Sequence, residues 1–382
     1  MAKYKSIEEY RQKKKRKNFF KKFILVFIIF SILIVLLNVL EIFKGSPLND
    51  IIKKETQSNI DSFPVKIKNE QLLDLFSVGN NVGVLSKTNL IMVSENGKTE
   101  NQVSHGYTNP VIKEGNKRFL TYDRGGKSFR VDTQKNKIGE KQIDGQIILA
   151  QISDIGNVAV VTTHERYASV ITVYNNSLDE IYKYSAVERI SNVCFSPDNN
   201  HILASTITTI AGAFVTNLYE LNLNNSGDIK TFTANGVVPL NISYSDNNNI
   251  TIISKNRIAT IDIKTKHQKN YEYEGALLHF NNSSSKETVI ANENTLKNNV
   301  TISVINSKGE LVNTYNIDDE IIEIYSDGSR ILVLGKENVY NFDMGLKLLN
   351  KIKITKSYQQ IIYNGNHSYI LSTDSLEKQR ID

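Results

Sequence analysis

Two short runs hold the residue types that recognition or catalysis draws on. Tyr122, Asp123 and Arg124 precede the pair Gly125-Gly126, and His164, Glu165, Arg166 and Tyr167 stand together further along the chain. Such groups suit an anionic or polar partner, because a guanidinium offers a planar fork of donors that grips a carboxylate or phosphate through paired bonds. The Asp-Arg-Gly-Gly run suits a structural job equally well. It reads as a tight turn with an ion pair, in which Gly125 and Gly126 supply positive φ. His105 and Tyr107 form a third, smaller polar segment ahead of both.

The patterns of known catalytic chemistry are missing. His105, His164, His201, His267, His279 and His367 are scattered, with no pair at metal-ligand spacing, so no metal centre is expected. There is no G-x-S-x-G elbow, no G-x-G-x-x-G run and no G-x-x-x-x-G-K-[ST] loop. The absence of Trp counts against a quinone cofactor docked on tryptophan, and no cofactor is expected. Cys194 is the only cysteine, which excludes a disulfide within the chain and a multi-cysteine metal site. Flanked by Val193 and Phe195, it reads as a small core residue.

The elements that must position these groups begin with an anchor. Phe23 to Leu40 reads FILVFIIFSILIVLLNVL, with only Ser31 and Asn38 polar. As a helix it spans about 27 Å, close to the thickness of a bilayer's hydrocarbon core. Its apolar residues favour insertion by roughly 5 kcal/mol in total. The segment runs into NVLEIFKGSP, which has no small-x-small cleavage pattern, so an uncleaved signal anchor is expected. Ten of the 46 basic residues and two of the 40 acidic ones lie in residues 1–22. The remainder, 36 basic and 38 acidic, is close to neutral. That distribution excludes a nucleic-acid-binding domain, which needs its positive charge on the folded surface. By the positive-inside rule it also places the N-terminus in the cytoplasm and the C-terminal domain outside the cell. The expected organisation is a basic cytoplasmic tail (1–22), a transmembrane helix (23–43), a stalk (44–62) and an extracytoplasmic domain (63–382).

From Phe63 onward, runs rich in Val, Ile, Tyr, Phe and Thr alternate with clusters of Asn, Asp, Ser and Gly, the pattern of an all-β domain. A longer period overlies that pattern. Units begin near Leu73, Val111, Ile148, Ile190, Leu240, Leu277, Ile321 and Gln360, mostly 37 to 44 residues apart, with a longer unit from 190 to 240. A turn rich in Gly, Asn or Asp recurs after the first strand of seven of the eight units, as in SVGNN (77–81), SDIGN (153–157) and SDGSR (326–330). Each unit reads as two apolar strands followed by two exposed ones. Four strands per unit of this length is a β-propeller blade. Eight blades are expected, with seven as the alternative. FPVKIKN (63–69) is expected to supply the strand that the last unit lacks, closing the ring and removing its free edges.

The segments TYDRGGKSFRVD (121–132) and SDIGNVAVVTTHERYASVITVYN (153–175) resemble a family of Gram-positive bacterial, single-pass membrane-anchored β-propeller proteins known only as a domain of unknown function, with a WD40- or quinoprotein-like shape. The resemblance covers the anchor and most of the exported region. It implies fold and topology, and carries no activity and no catalytic residue. In a propeller, the loop between the second and third strands opens on the same face as the connection to the next blade. That face is expected to collect Tyr122, Asp123, Arg124, His164, Glu165, Arg166 and Tyr167 as a recognition patch, with His105 and Tyr107 beside it. The function expected is a binding or scaffold module for a protein or cell-envelope component, held to the bilayer by residues 23–40. A hydrolase or lyase acting over the propeller channel and a transmembrane sensor are the alternatives.

Overall fold

The computed structural model describes residues 62–225, 227–282, 286–294 and 299–380. The expected basic tail and transmembrane helix and nearly all of the expected stalk fall outside these residues. Among those described, no helix is long and apolar enough to cross a membrane.

The described residues form eight four-stranded antiparallel sheets. Their first strands are Leu72–Val78, Pro110–Glu114, Ile147–Ile152, Ile190–Phe195, Asn241–Tyr244, Leu277–Asn281, Ile321–Ser326 and Tyr358–Asn364. Each starts within two residues of the position the sequence period gave. We number the blades 1 to 8 in this order. First strands of neighbouring blades contact one another from blade 6 through blades 8 and 1 to blade 5, and Asn282 of blade 6 donates to Asn241 and Ser243 of blade 5, so they ring a common axis. The fourth strand of blade 8 is Val65–Lys66, which pairs with Ser375–Gln379 through Val65↔Leu376 and Lys66↔Ser375. The start of the domain thus completes its last blade, as expected, and leaves the ring without an open edge.

The burial of the strands corrects one detail of the sequence reading. Third strands are buried rather than exposed: Ser169–Tyr174 in blade 3 is buried at every position, as is Asn81–Ser86, the second strand of blade 1. Both faces of a blade are covered by its neighbours, so the middle strands have no wet side and read as continuous apolar runs. Only the outer strand alternates with solvent, as Glu180–Ala186 does. The core therefore lies between blades. Leu120, Phe129 and Val131 of blade 2 pack on Ile147, Ala150 and Val160 of blade 3, and similar layers recur around the ring.

A second regularity concerns the axis. In blades 1, 3, 4, 6, 7 and 8 the first strand slips register just after its first residue, a bulge that leaves one residue unpaired. The residue that resumes the ladder is Asp74, Leu149, Asn192, His279, Glu323 or Gln360, and each is half-buried at the inner end of its blade.

Candidate functional site

The ring has two unlike faces. One carries the tight turns between first and second and between third and fourth strands. The other, the loop face, carries the loops between second and third strands and the connections between blades. Arg124 to Lys127 and Thr163 to Ala168 are loops of this second kind in blades 2 and 3. The expected recognition segments thus fall on neighbouring blades, but not all of their side chains reach the surface.

Tyr122 belongs to the core. It is fully buried in the layer between blades 2 and 3, because it occupies the last inward position of its strand before the loop. His105 and Tyr107 are also buried: the His105 Nε2–H donates to the Ser86 carbonyl at 3.1 Å, and Nδ1 accepts the Tyr107 amide at 3.0 Å. Burial holds the His105 pKa below its ordinary value, which keeps the ring neutral. Asp123 makes no ion pair with Arg124; its Oδ1 accepts the Asn109 amide at 2.7 Å. The turn is closed by the Gly126 amide on the Asp123 carbonyl at 3.0 Å. Only Gly125 has positive φ, at 82°, as the third residue of a type II turn requires. Gly126 is needed for space instead, since a Cβ there would come within 2.3 Å of the Asp123 carboxylate.

What the loop face does present is Arg124, His164, Glu165, Arg166 and Tyr167, all exposed. The His164 and Tyr167 rings lie 5.3 Å apart, and the Arg166 amide donates to His164 Nδ1 at 3.1 Å, so this loop is ordered by its own contacts.

Sequence reasoning missed the largest feature of that face. In blade 4 the second strand, His201–Ile210, and the third, Ala213–Asn222, are each ten residues long. They explain the long unit from 190 to 240. The first strand of the blade stops pairing at Thr206, while the second and third continue as a two-stranded ribbon to a two-residue turn, Ala211-Gly212. Both turn residues have positive φ, 50° and 83°, as a type I′ hairpin demands. Ile207, Ile210 and Phe214 on the ribbon are exposed, at 38%, 60% and 57%. Val187 on one flanking connection, and Val238 and Leu240 on the other, are exposed too. The flanks are tied to the ribbon: Thr216 Oγ1 donates to the Val237 carbonyl at 2.7 Å, the Gly236 amide donates to the Phe214 carbonyl at 2.8 Å, and Thr206 Oγ1 donates to Glu188. The available signal was a run from Ile202 to Tyr219 with no charged residue.

A second cluster lines the axis. Asp74 and Ser77 of blade 1, Lys113 and Glu114 of blade 2, Glu323 and Tyr325 of blade 7 and Gln360 of blade 8 all come from first strands. They link blades directly. Gln360 Nε2 donates to Asp74 Oδ1 at 3.3 Å, Ser77 Oγ to Glu114 Oε2 at 3.2 Å, and the Ile361 amide to Glu323 Oε2 at 2.6 Å. Loss of solvation raises the Glu323 carboxyl to about 8, and the neighbouring Asp74 adds to the effect. Glu114 is raised to about 7, mainly by desolvation, with the charge of Asp74 adding to the effect and the Ser77 bonds opposing it. Burial lowers Lys113, and Arg124 on the loop above lowers it further. The signal for this cluster was a charge inside an apolar first strand, as in LLDLFSV, PVIKE and IIEIYS. Among the described residues no group of three or more His, Cys, Asp or Glu is placed to hold a metal ion. Cys194 packs against the core between blades 4 and 5, and burial pushes its thiol up to about 12.

Residues 54–381 match the model of a family of unknown function, DUF5711. No curated protein sequence matches the chain. Several solved structures share its fold. BamB from Moraxella catarrhalis superposes with a TM-score of 0.53 at 10% identity, covering 83% of this chain and 99% of that one. Sqt1 from Saccharomyces cerevisiae gives 0.60 at 10% identity, over 82% and 97%. Chaetomium thermophilum Sqt1, solved bound to the N-terminus of the ribosomal protein L10, gives 0.59 at 9% identity, over 84% and 99%. At such identities the likeness is one of fold.

Proposed function

We propose, since the chain belongs to DUF5711, a family of unknown function, that its propeller is a binding module whose loop face holds a protein or cell-envelope component. The uncharged apolar segment 23–40 anchors it in the membrane, and the basic residues 1–22 keep that end in the cytoplasm, which puts the propeller outside. One observation carries the reading. Exposed large apolar side chains are gathered on one sector of the loop face, from Val187 through the blade 4 ribbon to Leu240, with Tyr167 beside them. Single exposed hydrophobics are ordinary, but a contiguous patch rimmed by polar groups marks a contact surface. His164, Glu165 and Arg166 on the neighbouring blade 3 loop supply polar groups beside it, with Arg124 one blade further on, and Sqt1 holds the end of another polypeptide on the same fold.

The test is crosslinking of the full-length protein in its own membrane, followed by mass spectrometry. Ile210→Lys with Phe214→Lys is expected to cut the yield of partner adducts about tenfold or more, because the buried apolar area of two large side chains is lost. The melting temperature should stay within a degree or two, since both side chains are exposed. Arg124→Ala with His164→Ala and Arg166→Ala should reduce adducts less, as rim charges do. Unchanged adducts in both variants would remove the loop face as the site.

A hydrolase or lyase acting over the channel is a second reading, and the raised carboxyls of Glu114, next to Lys113, and of Glu323, which faces Asp74, favour it. It requires turnover by the propeller that disappears in Glu323→Gln. Inactivity of the wild-type protein on glycan, ester and peptide substrates would discard it.

A further inference from the structure

The ribbon of blade 4 leaves one edge open. Its turn, Ala211-Gly212, makes Ile210 and Ala213 the first hydrogen-bonded pair of the hairpin, so bonded and non-bonded pairs alternate down the ladder from there. Thr208 then bonds to Val215, whereas Ile207 and Thr209 direct their N–H and C=O groups outward, away from the third strand. On that outward side the first strand of the blade ends at Ile190↔Thr206. On the other side the fourth strand closes the ribbon: Val215 pairs with Asn235, and the Gly236 amide donates to the Phe214 carbonyl at 2.8 Å. Among the described residues no strand pairs with Ile207 to Ile210 on the outward side.

Natural sheets protect such edges with a charge, a proline or a bulge. This one has none of these, and the sequence from Ile202 to Tyr219 is free of charge. Ile-Thr-Thr-Ile is also composed entirely of β-branched residues, which favour an extended pairing partner. We infer that the edge Ile207–Ile210 binds an extended, uncharged segment of a partner protein as an added antiparallel strand. This deepens the binding reading above and rests on it.

The chemistry of the occupant follows from the surroundings. Unpaired backbone groups at alternate residues ask for another backbone rather than for a side chain or a glycan. Ile207 and Phe214 lie on one face of the ribbon and Ile210 on the other, so the added strand meets apolar groups on both its faces. It is therefore rich in β-branched or aromatic residues at successive positions. Both ends of the described chain lie on the opposite face, so the occupant proposed is a strand of another protein. Ser62 donates its amide to Asn96, in a turn between third and fourth strands, and Lys378 Nζ reaches the carbonyl of Glu95 in the same turn.

The experiment places p-benzoylphenylalanine at position 214 in the full-length chain, photolyses it in its own membrane and maps the adducts. Thr209→Pro removes the outward N–H without touching a bond of the hairpin, and Thr209→Lys adds a charge to the edge while keeping the backbone. Thr209→Val keeps both the donor and the branched shape. The expected result is adduct yield about tenfold lower or less in the proline and lysine variants, the worth of one or two backbone bonds, and unchanged in the valine variant. The mapped segment should be uncharged. Adducts insensitive to proline and lysine would overturn strand addition and leave the binding face standing. Adducts with a second copy of this chain would replace the partner by edge-to-edge pairing. An absence of adducts from position 214 and from a probe at position 164 would overturn the binding face as well.

Discussion

A chain that begins at Glu70 instead of Ser62 is expected to be about 4 kcal/mol less stable to urea. The missing residues are few, but they close the ring. Ile67, 6% exposed, would leave the core shared by blades 8 and 1, a loss of about 2 kcal/mol. The pairs Val65↔Leu376 and Lys66↔Ser375 would go, with the bond from the Ile67 amide to the Asp374 carbonyl at 2.7 Å, at about 1 kcal/mol per bond. The Phe63 ring, 5.8 Å from that of Tyr369, would go too. Ser375–Gln379 would become an open edge, so the shortened chain should also associate at concentrations where the longer one stays dispersed. Equal unfolding midpoints for the two chains would mean that closure contributes nothing to stability.

Glu323→Gln should stabilise the propeller at pH 8 and have little effect near pH 4.5. The wild-type carboxyl titrates near 4.5 in the unfolded chain and about 8 in the fold, so between those values the folded state holds the extra proton. A raised carboxyl contributes most below pH 4.5, and its contribution is lost as pH rises to about 8. That shift has a ceiling of about 5 kcal/mol, which the partial exposure of the carboxyl reduces to ~2 kcal/mol. Glutamine keeps an oxygen to accept the Ile361 amide and removes the charge that faces Asp74. Glu114, raised to about 7, acts in the same direction and remains in the variant, so the difference between the two proteins isolates Glu323. Urea midpoints for both at pH 5 and pH 8 measure it. A gap that does not change with pH would show that Glu323 is ionised throughout.

The two sites differed in how far they could be read from the chain. The loops at Arg124 and at His164–Tyr167 were legible because they follow strands of recognisable composition, and propeller topology then fixes the face on which they open. Tyr122 was misjudged because a strand's last residue and a loop's first residue look alike in sequence, while one points into the layer between blades. The ribbon of blade 4 left a trace in the long unit and in its charge-free run. Its length was hidden because composition alone does not say where pairing with the first strand stops. Asp74 and Glu323 were visible as charges in apolar strands, but their meeting was not.

The sequence alone determined the repeat and pointed to the strand that closes the ring, while the eight sheets of the structure decided between eight blades and seven. The repeat and the closing strand follow from local rules: strands buried on both faces must be apolar, turns must carry Gly, Asn or Asp, and a blade needs four strands' worth of chain. Only the tertiary structure decided which polar groups meet, because the ring brings together residues far apart along the chain. Gln360 donates to Asp74 across 286 positions, a contact that no local pattern encodes. It exists because blade 8 is closed by residues 65–66 and so must lie against blade 1.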